Sequence, residues 1–197
     1  IMAFTPFLGY IPLGFTRATI IHIPVIIASL LMGPKKGGAL GFLFGLTSFI
    51  NNTINPSATS FVFTPFYSLG EFSGGIGSVI ICFIPRILVG IVPYFVYKLV
   101  LRLSSETTKN RGVSNIGLVL AGISGALVNT LLVMNLIYIF FGDAYIKASE
   151  KAVSLGYMVI LSIIGINGVP EAIIAGILTL CIGKVLLKKN VRERLGF

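Results

Sequence analysis

The sequence predicts an all-α integral membrane bundle of six transmembrane helices, a single domain over residues 1–197 with both termini on the cytoplasmic side. Three observations carry this. Hydrophobic residues make up 55% of the chain and charged residues only 11%, against roughly 25% charge in a soluble protein. Mean hydropathy is +0.99, and apolar runs recur along the whole chain. The cations fall in short runs beside those apolar segments, so the formal charge of +9 reads as a topology signal. No nucleic-acid partner follows from it.

The apolar segments lie near 1–11, 18–32, 37–54, 78–101, 114–141 and 157–187. The last three reach the ~20 residues a bilayer requires, and the second and third reach it with their neighbours. The first is shorter. It begins inside an apolar run with no charged n-region or cleavage site, and so reads as a helix lacking its start rather than a signal peptide. Lys35 and Lys36 separate spans two and three, Lys98, Arg102, Lys109 and Arg111 separate four and five, and Lys184, Lys188, Lys189, Arg192 and Arg194 follow span six. These share one side, which the positive-inside tendency makes cytoplasmic. The other side holds Arg17, a cation-free connection over 51–77, and a 142–156 loop in which Asp143 and Glu150 balance Lys147 and Lys151.

Much chemistry is excluded. One histidine, two cysteines and six acidic residues give no metal-ligand spacing and imply no cofactor. "GPKKGG" at 33–38 lacks the Lys-Ser/Thr pair of a phosphate loop and ends a span instead of following a strand, so no ATPase motif is visible. "GISG" at 122–125 resembles the nucleophile motif of rhomboid intramembrane proteases. Its Ser124 would need His22 as a base, and the two sit at about 25 and 6 Å depth, so a packing role is expected and no catalytic residue is assigned. Cys82 and Cys181 fall near opposite faces, which precludes a disulfide.

Depth arithmetic at 1.5 Å per residue gathers the intramembrane polar residues: Asn135 at about 9 Å from the outer end, Arg86 at about 12, Asn167 at about 15, Asn129 at about 18 and Glu171 at about 21 Å. Such residues usually face a bundle interior or cavity. They read together as an outward-open pocket. Singly, Arg86 could instead pair with Glu171 or Glu71, the three asparagines could be interhelical glue, and Glu171 could serve backbone freed by Pro170. His22 reads as an interfacial residue or a ligand contact. The 51–77 connection mixes hydroxyls and amides with aromatics, the lining of a small-molecule site. It reads as a lid, with Asn55, Thr59, Ser60, Phe63 and Tyr67 as candidate contacts.

Small residues recur every four positions at Gly33, Gly37, Gly41 and Gly45, again at Gly117, Ala121 and Gly125, and again at Gly168, Ala172 and Gly176. In lipid such faces allow close helix packing, either internally or against another membrane subunit. Gly33, Gly37 and Gly41 are the candidate docking residues.

The stretch "IMAFTPFLGYIPLGFTRATIIHIPVIIASLLMGPKKGGALGFLFGLTSFINNTINP", with "SFVFTPF", "ICFIPRILVG" and "NGVPEAIIAGIL" further on, resembles the S component of energy-coupling-factor (ECF) vitamin transporters, and is most similar to the pantothenate-specific members. The resemblance implies a six-helix subunit of the bacterial plasma membrane that captures a vitamin from outside. It implies partners: a transmembrane coupling subunit and two cytoplasmic ATPases. It also implies an Ala-x-x-x-Ala docking surface in the first helix, of which at most Ala3 is present. Pantothenate is an anion, so Arg86 becomes the candidate carboxylate contact, with Arg17 just before span two as a second candidate and lid and span-five and span-six amides for its other groups. An S component for pyridoxine, hydroxymethylpyrimidine or folate, an autonomous carrier, and the intramembrane protease are the alternatives.

Overall fold

The computed structural model describes residues 10–13, 16–19, 21–104, 113–148 and 156–187, with 10–13 and 16–19 described by their backbone alone. Strand β1 (Tyr10–Leu13) pairs antiparallel with β2 (Thr16–Thr19), from Tyr10↔Thr19 to Leu13↔Thr16. This corrects the first two expected spans. Tyr10 and Ile11 lie in a strand rather than a helix, Ala18 belongs to β2, and 1–9 lie outside the described residues. Pro12 cannot donate inside a helix, a helix through Arg17 would carry a cation into lipid, and Thr16 and Thr19 are β-branched.

Helix α1 (His22–Met32) ends at Gly33, whose φ of 87° suits a residue without a Cβ, and whose N–H donates to the Ser29 carbonyl at 2.9 Å. Pro34 opens α2 (Pro34–Ile54) at the one helical position where a missing N–H costs little. A cap follows, built from a 3₁₀ turn (Ser60–Val62) and a small hairpin of β3 (Ser68–Leu69) with β4 (Phe72–Ser73). Helix α3 (Ile76–Val89) breaks at Gly90 and Ile91 before α4 (Val92–Leu103). Helix α5 (Asn115–Ala148) contains one non-helical residue, Phe141, at the position where the apolar pattern ends. Helix α6 (Tyr157–Ile163) passes through a π turn (Ile164–Gly168) into α7 (Val169–Leu186).

Three rods among the described residues are long and apolar enough to cross a bilayer: Ile76–Leu103, Asn115–Lys147 and Tyr157–Leu186, of 28, 33 and 30 residues. Helix α1 is apolar but shorter. Large apolar side chains point outward, with Ile76 82%, Leu103 80% and Ile139 70% exposed. An outer surface of this kind suits lipid.

Glycines set the helix spacing. A Cβ at Gly37 would strike the Gly90 carbonyl, one at Gly41 the Arg86 carbonyl, and one at Gly45 would come within 3.0 Å of the Cys82 carbonyl. The α2 ladder rising in steps of four therefore meets an α3 ladder falling in steps of four. On the other side of the bundle Gly122 abuts the Ala175 carbonyl and Gly183 abuts Leu118, bringing α5 onto α7. Ile26 of α1 fills the notch at Gly125. Dispersion between closely approaching backbones holds such seams in lipid, where burial of apolar surface contributes little.

Candidate functional site

The cap closes one end of the bundle. Phe61 and Val62 are fully buried and pack with Ile81 of α3, Val133, Met134 and Ile137 of α5, and Ile160 of α6. Phe61 stacks on Phe72 at 6.0 Å and meets Phe141 edge-on at 5.8 Å. Hydroxyls tie the cap to the helices: Ser60 donates to Asn52 Oδ1 at 2.8 Å, Thr53 and Thr64 share a hydrogen bond of 2.8 Å, and Ser78 donates to the Phe61 carbonyl at 2.6 Å. Gly74 lies against the Phe61 and Thr64 carbonyls, an approach any Cβ would block.

A polar level lies directly beneath this apolar plug. Arg86 stands five residues beyond Ile81 on α3, Asn129 four before Val133 on α5, and Asn167 three beyond Ile164 in the π turn. Each is therefore roughly 5–8 Å further from the cap than the cluster that seats it. Ile26 faces Gly125, so one turn nearer the cap on each helix sets His22 level with Asn129. His22, expected near the outer surface, is the first residue of α1 and is 1% exposed.

Arg86 is the fixed charge of this level. It is 7% exposed, its Nη1 donates to the Ile81 carbonyl at 2.7 Å, and its guanidinium lies over the rings of Phe44 (5.7 Å) and Phe63 (5.3 Å). Side chains on a helix lean toward its N-terminus, which for α3 is the cap end. The guanidinium thus reaches up to meet Phe63, which the cap sends down. Phe44 follows Gly41 by three residues on α2, on the face that the glycine seam presses against α3. Cation–π contact with two rings holds a charge where water cannot.

The α5–α7 side carries neutral and acidic groups. Thr130 donates to Glu171 Oε2 at 3.1 Å, and Thr130 also backs Gly168, joining α5 to the π turn. Glu171 lies in the first turn of α7, where a carboxylate is favoured by the helix dipole. The Oδ1 atoms of Asn129 and Asn167 are buried and accept no hydrogen bond among the described residues. The hairpin strand β2 packs on the π turn and on α7, so a second covering element borders the same level.

Other expected contacts lie elsewhere. Asn135 donates to the Leu131 carbonyl at 2.7 Å and accepts from Tyr157 at 2.7 Å, so it links α5 to α6 as glue above the polar level. Ser60 is engaged inside the cap, accepting from the Ser57 N–H and donating to Asn52. Asn55 is exposed at the end of α2 and bonds Asn51, Thr59 precedes the 3₁₀ turn, and Tyr67 packs half-buried on the cap cluster. Gly37 and Gly41 are buried in the α2–α3 seam, and Gly33 forms the α1–α2 turn. Ala3 lies outside the described residues. Ser124 donates to the Ala121 carbonyl of its own helix at 2.9 Å. Cys82 is a buried free thiol and Cys181 an exposed one.

Phe44 and Thr130 escaped the sequence reading. Each had a signal: Phe44 shares the glycine face of α2, and Thr130 adjoins Asn129. Away from the cap, a cavity of about 290 Å³ is bordered by Leu30, Tyr94, Tyr97, Leu101 and Leu187, with Lys98 over the Tyr94 ring at 5.3 Å. Gly33, one of the candidate docking residues, also borders it.

Comparison with known proteins gives the family of the chain. Residues 1–183 match the family described as "ECF transporter, substrate-specific component". The chain is 42% identical over 173 residues to the pantothenic acid transporter PanT of Lactococcus lactis subsp. cremoris, an alignment covering 87% of this chain and 79% of that protein. It is 31% identical over 204 aligned positions to the pantothenate transporter PanT of Leuconostoc mesenteroides subsp. mesenteroides, covering 97% and 86%.

Proposed function

The chain belongs to the substrate-specific components of ECF transporters, and from that premise we propose that it captures pantothenate beneath the cap and delivers it for import. The subunit binds its cargo and does not convert it. The names of the two PanT relatives support the choice of vitamin. The observation that carries the site is Arg86: a buried cation, held in place before any ligand arrives, at the level of two buried amide oxygens.

Pantothenate matches that pattern in chemistry. Its carboxylate takes a charge-assisted bond from Arg86, whose Nη1 is engaged on Ile81. Its amide N–H and two hydroxyls supply donors for Asn129 and Asn167, and the two methylenes beside its carboxylate lie against Phe63 and Phe44. His22 borders the same space. In this reading the chain lies in the bacterial plasma membrane with the cap facing outward and the end of α7 facing the cytoplasm. It docks on a transmembrane coupling subunit powered by two ATPases, and release follows reorientation of the whole subunit.

The test is calorimetric binding of pantothenate to purified protein and to Arg86→Ala. Losing a bond to a charged group costs about 1.5–3 kcal/mol, so affinity should fall by a factor of roughly 10 to 150. A folded Arg86→Ala protein that binds as tightly as the parent would remove the arginine from the site.

A further inference from the structure

Pro85 stands in the interior of α3, buried, one residue before Arg86. Proline has no N–H, and its ring pushes aside the carbonyl four residues earlier. That carbonyl belongs to Ile81, and it is the group that accepts the 2.7 Å bond from Arg86 Nη1. In a bundle interior a carbonyl stripped of its helical donor must find another partner. Arg86 supplies it by folding back along its own helix, the direction in which a helical side chain leans. A proline that weakens a membrane helix and an arginine buried in it thus resolve each other: the gap left by the first is the anchor of the second.

The consequence reaches the binding level. Arg86 has a long side chain with several rotatable bonds, and contact with ring faces does not by itself set the direction of the guanidinium edges. The Ile81 carbonyl removes that freedom on one edge of the fork. The backbone of Arg86 is fixed as well, since its own carbonyl abuts Gly41. We infer that Pro85 is a positioning residue for carboxylate selectivity: its missing amide exposes the Ile81 carbonyl, which aims Arg86 at the anionic end of the ligand. This rests on the reading of Arg86 as the carboxylate contact. Replacing Pro85 by an amide-bearing residue restores the main-chain bond to Ile81, which then competes with Nη1. The helix gains stability while the arginine loses its aim.

The experiment compares pantothenate with its alcohol analogue, in which a hydroxymethyl group replaces the carboxylate, as ligands of the parent, Pro85→Ala, Pro85→Ser and Arg86→Ala proteins. Binding of both ligands and the unfolding temperature of the empty protein are measured. The parent should prefer the acid, and Arg86→Ala should bring the preference close to one. Pro85→Ala and Pro85→Ser should each lower the preference by about tenfold, roughly one hydrogen bond to a charged group, with alcohol binding unchanged and the unfolding temperature equal or higher. Proline variants that keep the full preference, or that weaken both ligands alike, would overturn the positioning role while leaving Arg86 in place. Unchanged preference in Arg86→Ala would instead overturn the carboxylate reading itself.

Discussion

The two walls of the polar level are built in opposite ways. On the α2–α3 wall, Arg86 is fixed through its carbonyl against Gly41, through Nη1 on Ile81, and through two aromatic rings. On the α5–α7 wall, Asn129 and Asn167 end in buried oxygens that accept nothing among the described residues. The difference follows from what each group costs. A buried charge without partners is prohibitive, so it must be held whether or not a ligand is present. A neutral acceptor left unmatched costs about 1–3 kcal/mol, which a folded bundle can carry. One wall is preorganised and the other is receptive.

The contrast breaks most severely at the seam. Gly41→Leu should destabilise the protein by about 3 kcal/mol, because a side chain there must displace the Arg86 carbonyl and separate α2 from α3. Thermal unfolding in detergent measures this, with Ala39→Leu on the exposed face of the same helix as the control. Pantothenate binding should fall with it, since Phe44 moves with α2. Near-parental stability in Gly41→Leu would mean that the seam is not what holds the first wall.

The second wall should respond the other way. Asn129→Leu should weaken pantothenate binding about tenfold, or ~1.4 kcal/mol, while the empty protein unfolds at the same or a higher temperature, because an unmatched buried acceptor has been removed. Lower stability with intact binding would make Asn129 interhelical glue and erase the distinction between the walls. The smallest effect belongs above the polar level. Tyr157→Phe removes the partly exposed bond to Asn135 and should cost about 0.5–1 kcal/mol, with affinity for pantothenate unchanged. A clear loss of affinity would extend the site upward to include Asn135.

Part of this was legible in the chain. The three long rods follow from apolar length, and the end of the fifth apolar segment coincides with the break at Phe141. Arg86, Asn129 and Asn167 were separable from lipid-facing positions because polar groups inside a bilayer are too costly to be incidental. Asn135 met the same criterion and bonds Leu131 and Tyr157, a pairing that depth alone could not foresee. The hydroxyls of the cap carry the same ambiguity. Ser60 and Thr64 satisfy buried donors and acceptors of the cap itself, a demand that composition cannot tell apart from a demand for ligand.

By itself the sequence determined the solvent, the long apolar rods and which residues were too polar to face lipid, because these depend on local length and hydropathy. Only the tertiary structure decided that the α2 glycines face α3, that His22 lies level with Asn129, that the chain before α1 turns back as a hairpin, and that Phe44 and Phe63 converge on Arg86. Those outcomes depend on helix rotation and register. Close packing between helices selects both, and a periodicity of four leaves open which neighbour each face will meet.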